Sequence, residues 1–376
     1  MRVLFIAHNG QLYGANQVLL TLMKGLIGKG HDVSILLPTK KGLAEILKKE
    51  DVNHIVIPCF PQFMYIKLIP KYLIYPLLVI LNIIVFPYIV YKINKFRPDI
   101  IYSNTSAENI GVWVAKILRI KHISHVHEFM SLDHKALFLG TKKCKENYLK
   151  KSDAVIFVSS PVMKYIFPFV SEQMNYPVIP NGLKIPNINI KDKCPTESLN
   201  FGVIGVFSPG KRQHMAIEYF NDIILSYYPQ AKLHLIGDKK GSYKRNLLEM
   251  VERQDLKDNV IFHGFIQDTD EIYNEIDILL VFSEAEAFGL VTIEAMLRGV
   301  PVIGYDSAGT AELITNRETG YLFFDKKSFS TSLFELLSND NYNNIRERAL
   351  LYARSKFSKE TYCNNIEKFL IKIINE

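Results

Sequence analysis

The chain has only four cysteines, Cys59, Cys144, Cys194 and Cys363, and no two of them form a CxxC pair. No histidine stands near them at zinc-finger spacing. Neither a metal knuckle nor a disulfide framework is suggested, and a reducing, cytosolic compartment is expected. A secretory signal pattern is missing too: Arg2-Val3-Leu4-Phe5-Ile6-Ala7 runs straight into a strand pattern, without the longer apolar core and small-residue cleavage site that export needs. No short-period repeat is present. The loop after the first strand pattern is not GxGxxG, so a dinucleotide has no direct support and no cofactor is expected. No basic groove interleaved with aromatics stands out, which sets nucleic acid aside as a partner.

What is present fits two ordinary globular domains. The chain has 376 residues, 48% hydrophobic and 22% charged, with a net charge of +7. That length supports two buried cores. The positive balance favours anionic partners; nucleic acid, sugar nucleotides and acidic lipid headgroups all fit it, and charge alone does not choose among them.

Hydrophobic periodicity predicts an alternating α/β chain. Val3 to Ala7 reads as a strand, and His8 to Gly14 as a polar loop. Val18, Leu19, Leu22, Met23 and Leu26 repeat at helical spacing before Gly30, and Val33–Leu37 is the next strand. Further strands are expected at Ile55–Ile57, Asp99–Ser103, Ile123–Val126 and Ala154–Val158. Periodicity lapses from Val178 to Asn200, where Pro180, Asn181, Gly182, Pro186 and Pro195 mark a linker. Alternation then resumes with strands at Phe201–Val206, Lys232–Ile236, Val260–Phe262, Ile278–Phe282 and Val300–Gly304, and Lys359–Ile374 reads as an amphipathic helix. The expected division is 1–180, a linker at 181–199, a second domain at 200–356, and a final helix at 357–376 that crosses back to the first domain. Parallel sheets of this kind bind ligands at the carboxyl ends of their strands, where helix N-termini offer free amides.

The densest chemistry lies in Ile278 to Met296. An apolar strand ends in an acidic loop, and Gly289 opens a helix. Glu286 on the loop and Glu294 inside the helix are placed to meet a sugar and a ribose, with the amides of Phe288-Gly289-Leu290 facing a phosphate. By itself, such a pair is as well explained by two solvated carboxylates. The Asp268-Thr269-Asp270 triplet has the form of a metal-binding Asp-x-Asp. Its place before Ile272-Tyr273 and Ile276 instead predicts an N-cap with acidic first-turn residues. His125 and His127 follow a strand two apart, and so share one face.

The stretch from Glu286 to Glu294 resembles the Glu-x7-Glu signature of glycosyltransferase family 4, the retaining enzymes of the GT-B fold. The resemblance continues through Ala295-Met296, Gly299 to Ile303, Ala308 to Leu313 and Gly320-Tyr321-Leu322. Upstream it includes Pro180-Asn181-Gly182, Gly205 to Gln213, Leu235 to Asp238 and Val260 to Phe265. In the first half it is thinner: the start of the chain, Gly14 with its helix, and His127-Glu128. Three departures are Val206 where the family often has Arg, Tyr13-Gly14 where a glycine pair is usual, and Thr310 where Gly is frequent.

The resemblance implies an α/β GT-B architecture, two doubly wound Rossmann-like domains facing a central cleft. It implies Lys211, assisted by Arg212, on the leaving diphosphate, amides around Phe288, Gly289 and Leu290 on a phosphate, and Glu294 on the ribose. Glu286 and His127 are the implied catalytic or sugar-contacting residues. Gly14 would let backbone approach the donor, and main-chain groups near Phe265 would read the base. No metal is implied. Catalysis would be electrostatic, with an oxocarbenium-like state at the anomeric carbon while charge grows on the diphosphate. The implied activity is transfer of a sugar from a nucleotide-diphosphate sugar to a lipid-linked or surface-glycan acceptor, with retention of configuration. A sugar-nucleotide epimerase of the same fold and a non-catalytic GT-B accessory subunit are the alternatives.

Residues Tyr72 to Ile93 are almost entirely apolar and, at about 1.5 Å per residue, long enough to span a core of about 30 Å. The strand patterns on either side are expected in one sheet, which argues against spanning, and Pro76 and Pro87 are expected to break the helix into pieces. Buried core helices, or a segment dipping into one leaflet, remain. Lys142, Lys143, Lys145, Lys150 and Lys151 form a basic run suited to anionic lipid. The expected location is the cytoplasm, peripheral on the inner face of the plasma membrane, with the membrane surface as a partner.

Overall fold

The computed structural model of the protein describes residues 1–12, 14–60, 63–65, 71–129, 132, 136–138, 142–168, 176–187, 198–238, 240–266, 268–338 and 341–376. Tyr13, residues 188–197 of the expected linker, and the side chains of residues 71–75 and Lys142 lie outside the described residues. The chain divides into two units, Met1–Gly182 with Lys359–Glu376, and Leu183–Ser358.

The first unit runs β1 (Arg2–Ile6), α1 (Gly14–Gly28), β2 (Asp32–Leu37), α2 (Leu43–Lys49), β3 (His54–Val56), β4 (Phe63–Tyr65), α3 (Lys71–Phe96), β5 (Ile100–Ser103), α4 (Ile110–Leu118), β6 (Lys121–Val126), β7 (Ala136–Phe138), α5 (Lys142–Leu149), β8 (Ala154–Phe157) and α6 (Ser160–Ile166). Six strands form one parallel sheet in the order β3-β2-β1-β5-β6-β8, so the chain reverses direction across the sheet between β1 and β5. Their central residues are buried on both faces, as helix-covered parallel strands must be. β4 and β7 form a separate antiparallel pair that periodicity did not predict; each has three residues, too short to show alternation.

The second unit repeats the plan with β9 (Asn200–Ile204), α7 (Gln213–Tyr219), a π-helical stretch Phe220–Ile224, α8 (Leu225–Tyr227), β10 (Lys232–Ile236), α9 (Ser242–Arg253), β11 (Val260–Gly264), α10 (Thr269–Glu275), β12 (Ile278–Val281), α11 (Leu290–Leu297), β13 (Val302–Tyr305), α12 (Ala308–Leu313), β14 (Tyr321–Phe323), α13 (Lys326–Leu337) and α14 (Asn341–Lys356). Its sheet is again all parallel, in the order β11-β10-β9-β12-β13-β14, with the reversal between β9 and β12. Phe201, Phe220, Phe282, Phe323 and Phe329 fill its core. The last helix, α15 (Lys359–Asn375), packs on α1 in the first unit. Gly25 makes that approach possible, because a Cβ there would collide with Cys363 Sγ. Glu367 fixes the pairing by taking Lys29 and, at 2.6 Å, His31 Nε2.

The apolar stretch corrects two expectations. It is one continuous helix, α3, with Pro76 and Pro87 inside it. The prolines are eleven positions apart, and both lie on the exposed face. There the solvent-side carbonyls of a helix tilt outward, so a proline ring fits with a bend instead of a break. Nor is α3 a buried core helix. Ile89 and Ile93 pack into the core under β1 and β5, with Val85, Phe86, Val90 and Phe96 beside them. Leu77, Ile80, Ile83, Ile84, Tyr88 and Tyr91 are exposed at helical spacing along the opposite face. Asn82 anchors the helix by bonding both backbone groups of Phe60.

The basic run is also divided. Lys145 is buried, and its charge favours the ionised Glu128. Lys150 sits over the Phe167 ring and Lys151 over Trp113 at 4.3 Å, while Lys143 is exposed.

Candidate functional site

In the second unit, the reversal between β9 and β12 brings together the loops that follow those strands. The β9 loop turns at Gly205 and ends in a short 3₁₀ turn, Pro209–Lys211. The β12 loop carries Glu284 to Gly289. Lys211 Nζ meets Glu286 Oε2 at 2.6 Å, and both side chains are mostly shielded from solvent. Residues 75 apart in sequence thus form one charged pair at the carboxyl ends of the central strands.

The loop around Glu286 is held from two sides. Glu284 N donates to Gly210 O at 3.4 Å, and Ser307 Oγ donates to Glu284 O at 2.6 Å. Gly309 N donates to Glu286 O at 2.8 Å, and a Cβ on Gly309 would come within 2.6 Å of Phe288 O. Only glycine lets the start of α12 sit this close. Gly289 then takes φ 104° and opens α11, whose N-terminus has no side-chain cap. Phe288 is buried against Phe357, while Leu290 begins the helix. Uncapped amides and a helix dipole beside a lysine suit an anion.

Glu294 lies one turn inside α11 and is nearly enclosed. Tyr273 Oη is 3.0 Å from both Glu294 Oε2 and Val291 O. Burial raises the Glu294 carboxyl above the usual carboxylate range, although the Tyr273 hydrogen bond and the Arg298 charge oppose that shift. In sequence Tyr273 simply follows Ile272 behind the Asp-x-Asp triplet. Nothing in its local pattern announces that its hydroxyl reaches a carboxylate 21 residues away.

Arg212 follows Lys211 at the end of the 3₁₀ turn. Its guanidinium pairs with Glu284 at 2.5 Å and lies over the Tyr305 ring at 4.9 Å, so its charge is already engaged. Val206, which stands where the family often has Arg, is half exposed, and its carbonyl accepts from Gln213. Phe265 projects an exposed ring beyond the end of β11. Asp268 caps α10 by accepting from Asp270 N at 2.9 Å, and Asp270 takes the Arg298 guanidinium at 2.6 Å. Both members of the Asp-x-Asp triplet thus serve the helix.

In the first unit, β6 delivers His125 and then His127. Tyr102 Oη lies 2.5 Å from His125 Nδ1, and the two histidine rings are 3.9 Å apart. Among the described residues, neither buried His127 nitrogen has a hydrogen-bond partner. Burial pushes its pKa down to about 4, opposed by the Glu128 charge, so the ring is neutral at physiological pH. Glu128 accepts from Ser106 N at 3.0 Å and Ser106 Oγ at 2.7 Å. Ser106 and Lys145 have no sequence signal tying them to Glu128. Gly14 opens α1, whose Asn16 gathers the preceding loop by donating to Asn9 and Gln11.

These two sheets and their switch-point loops define a two-unit Rossmann-like protein of the GT-B class. A family model for glycosyl transferases group 1 matches residues 185–355, and one for glycosyltransferase family 4 matches residues 13–185. The chain belongs to these glycosyltransferase families of the GT-B superfamily. Among relatives, it is 31% identical to N-acetyl-alpha-D-glucosaminyl L-malate synthase of Bacillus anthracis over 46% of this chain and 45% of that one. It is 24% identical to alpha-monoglucosyldiacylglycerol synthase of Streptococcus pneumoniae over 96% of this chain and 86% of that protein. Among solved structures, Anabaena HepE in complex with UDP-glucose superposes with a TM-score of 0.78 at 21% identity, covering 99% of this chain and all of that one.

Proposed function

We propose that the protein transfers a sugar from a nucleotide-diphosphate sugar to a lipid-linked or surface-glycan acceptor, with retention of configuration. The observation that carries this reading is the Lys211–Glu286 pair beside the uncapped N-terminus of α11. A diphosphate leaving group gathers negative charge as the anomeric bond breaks. A lysine and a helix dipole fixed beforehand stabilise that charge without reorganising. Glu286 is then close to the reacting sugar, and Glu294 receives ribose hydroxyls. His127, neutral and without a hydrogen-bond partner among the described residues, serves as a hydrogen-bonding group for a sugar hydroxyl. Similarity to a diacylglycerol-linked glucosyl synthase and the exposed face of α3 both favour a lipid acceptor and attachment to a membrane surface.

The test is a pair of variants assayed across a panel of sugar nucleotides that includes UDP-glucose. Glu286→Gln is expected to lower kcat while leaving donor affinity within several-fold. Glu294→Ala is expected chiefly to weaken donor binding, because it removes the ribose contact. Unchanged kinetics in both variants sinks the site assignment.

A chelator provides a second check. With Lys211 and the helix terminus carrying the leaving-group charge, EDTA is expected to leave kcat at saturating donor intact. Loss of turnover that manganese restores would return Asp268 and Asp270 to consideration as ligands.

A further inference from the structure

A second cluster lies at the edge of the same sheet and takes no part in the chemistry above. His234 projects from β10 and His263 from β11. The ladder between these strands slips between Leu235 and Ile236, which pair with Phe262 and Gly264, so His263 has no opposite residue. A bulge of this kind re-aims a side chain. His234 Nδ1 and His263 Nε2 end 2.8 Å apart, with the rings stacked. Glu275, the last residue of α10, brings Oε2 to 3.8 Å from the first nitrogen and 3.9 Å from the second.

The protonation state of His234 follows from the groups behind it. Asp277 accepts from Asn200 N at 2.8 Å and from Asn200 Nδ2 at 3.3 Å. This turns Asn200 Oδ1, an acceptor only, toward His234 Nε2 at 3.1 Å. His234 therefore carries its proton on Nε2 and presents the Nδ1 lone pair to His263 and Glu275. An imidazole whose far N–H is held by a fixed acceptor is the arrangement that orients metal-binding histidines. His234 is buried, His263 is partly buried, and Glu275 is exposed, so the position is reachable from solvent through the carboxylate.

We propose that His234, His263 and Glu275 form a binding site for a divalent transition metal of the zinc type, held by two imidazole nitrogens and one carboxylate oxygen. Two nitrogens 2.8 Å apart are spanned by an ion about 2.0–2.1 Å from each, and the exposed Glu275 carboxylate closes from the third side. Water completes the coordination. A nitrogen-and-oxygen donor set excludes neither cobalt nor nickel but disfavours magnesium and calcium, which take oxygen ligands. His263 holds its proton on Nδ1 when the metal occupies Nε2, so binding needs no net proton release from a neutral ring.

The site ties the edge strand β11 and its neighbour β10 to the end of α10. Tyr273, two residues before Glu275, is the partner of Glu294. Metal at this position would brace the helix that positions the ribose contact, so occupancy is expected to stabilise the fold and to lower the donor KM more than it changes kcat.

The test uses the full chain, stripped with chelator and titrated with zinc chloride alone, followed by calorimetry and thermal unfolding. One equivalent is expected to bind saturably and raise Tm. His263→Ala is expected to abolish that response, and Glu275→Gln to weaken zinc binding about 10-fold or more. Asn200→Ala, which removes the orienting acceptor and leaves the three ligands in place, is expected to weaken zinc binding about 10- to 100-fold. His54→Ala, a histidine of the first unit, should leave zinc binding unchanged. Cobalt in place of zinc should give a visible spectrum of nitrogen and oxygen ligation in the wild type that needs about 10-fold more cobalt in Glu275→Gln and is lost in His263→Ala. No saturable binding, or a zinc response of equal size in His263→Ala, overturns the proposal. Neither result bears on the donor site, whose variants are scored by sugar transfer without added metal.

Discussion

Replacing Lys211 by alanine is expected to lower kcat/KM about 100- to 1000-fold, the usual cost of removing one fixed group that stabilises charge in a transition state. In the resting protein Lys211 is paired with Glu286, so it has a counter-charge before any donor arrives. When a diphosphate binds beside α11, the ammonium must be shared between phosphate oxygens and Glu286. Charge on the leaving group grows as the anomeric bond breaks, so the lysine interacts more strongly with the transition state than with bound donor. The loss should therefore fall mainly on kcat, with a smaller change in donor affinity. In the resting protein Arg212 pairs with Glu284 and stacks on Tyr305, so the residual activity of the variant reports what Arg212 contributes. Lys211→Arg is expected to recover part of the activity, since a guanidinium keeps the charge but not the compact shape. Steady-state kinetics with a saturating acceptor, alongside donor binding by calorimetry, separates the two effects. A change below about threefold in kcat/KM would remove Lys211 from the machinery.

The strands that carry this site were legible because buried parallel strands read as short apolar runs between helical periods. Lys232–Ile236 was predicted with both boundaries correct, and Ile278–Phe282 ends one residue later than the observed strand. Strand β14 escaped because its three residues follow a turn directly, as did the β4–β7 pair. Glu286, Glu294 and Lys211 stand out through the family resemblance, yet only the fold sets Lys211 against Glu286. The roles of Tyr273, Ser106 and Gly309 depend on contacts across the sheet that no local spacing encodes. The His234–His263–Glu275 cluster is hidden for the same reason: its three residues come from two strands and a helix end. The prolines of α3 misled because a proline is costly inside a helix packed on all sides, and these two face outward.

Replacing Ile80, Ile83 and Ile84 together by serine is expected to reduce binding to anionic vesicles about 100-fold while leaving the fold intact. All three side chains are more than half exposed on α3, on the face away from Ile89 and Ile93. Exposed positions without partners contribute little to stability, so the variant should unfold within a degree or two of the wild type. The apolar face runs from Leu77 to Tyr91, about 21 Å at 1.5 Å per residue, and α3 is apolar enough by composition to enter a bilayer. Spanning conflicts with the topology, because β3 and β5 on either side of α3 lie in one sheet and the end of the helix packs on that sheet. An orientation along the surface satisfies both facts, with the exposed side immersed among acyl chains and the packed side left in the protein. Moving the exposed half of each isoleucine out of water is worth about 1 kcal/mol, so three supply about 3 kcal/mol, or about 100-fold in partitioning. Tyr88 and Tyr91 stack on each other at the far end, and Lys92 lies over Tyr88 at 5.3 Å, a pairing suited to the headgroup layer. On α4, packed beside α3, Trp113 and Ile117 are exposed, and Lys151 covers the Trp113 ring. Charge reversal should be made at Lys143, Lys150 and Lys151; Lys145 is unsuitable because it is buried beside Glu128. Each reversed lysine is expected to remove about 1 kcal/mol or more of attraction to acidic lipid, an effect that salt mimics and that the serine variant does not. High salt should release the wild type in part, and detergent completely. Wild-type protein that ignores anionic vesicles at low salt, or a triple serine variant that binds them equally well, would separate α3 from the membrane and leave its apolar face to a protein partner.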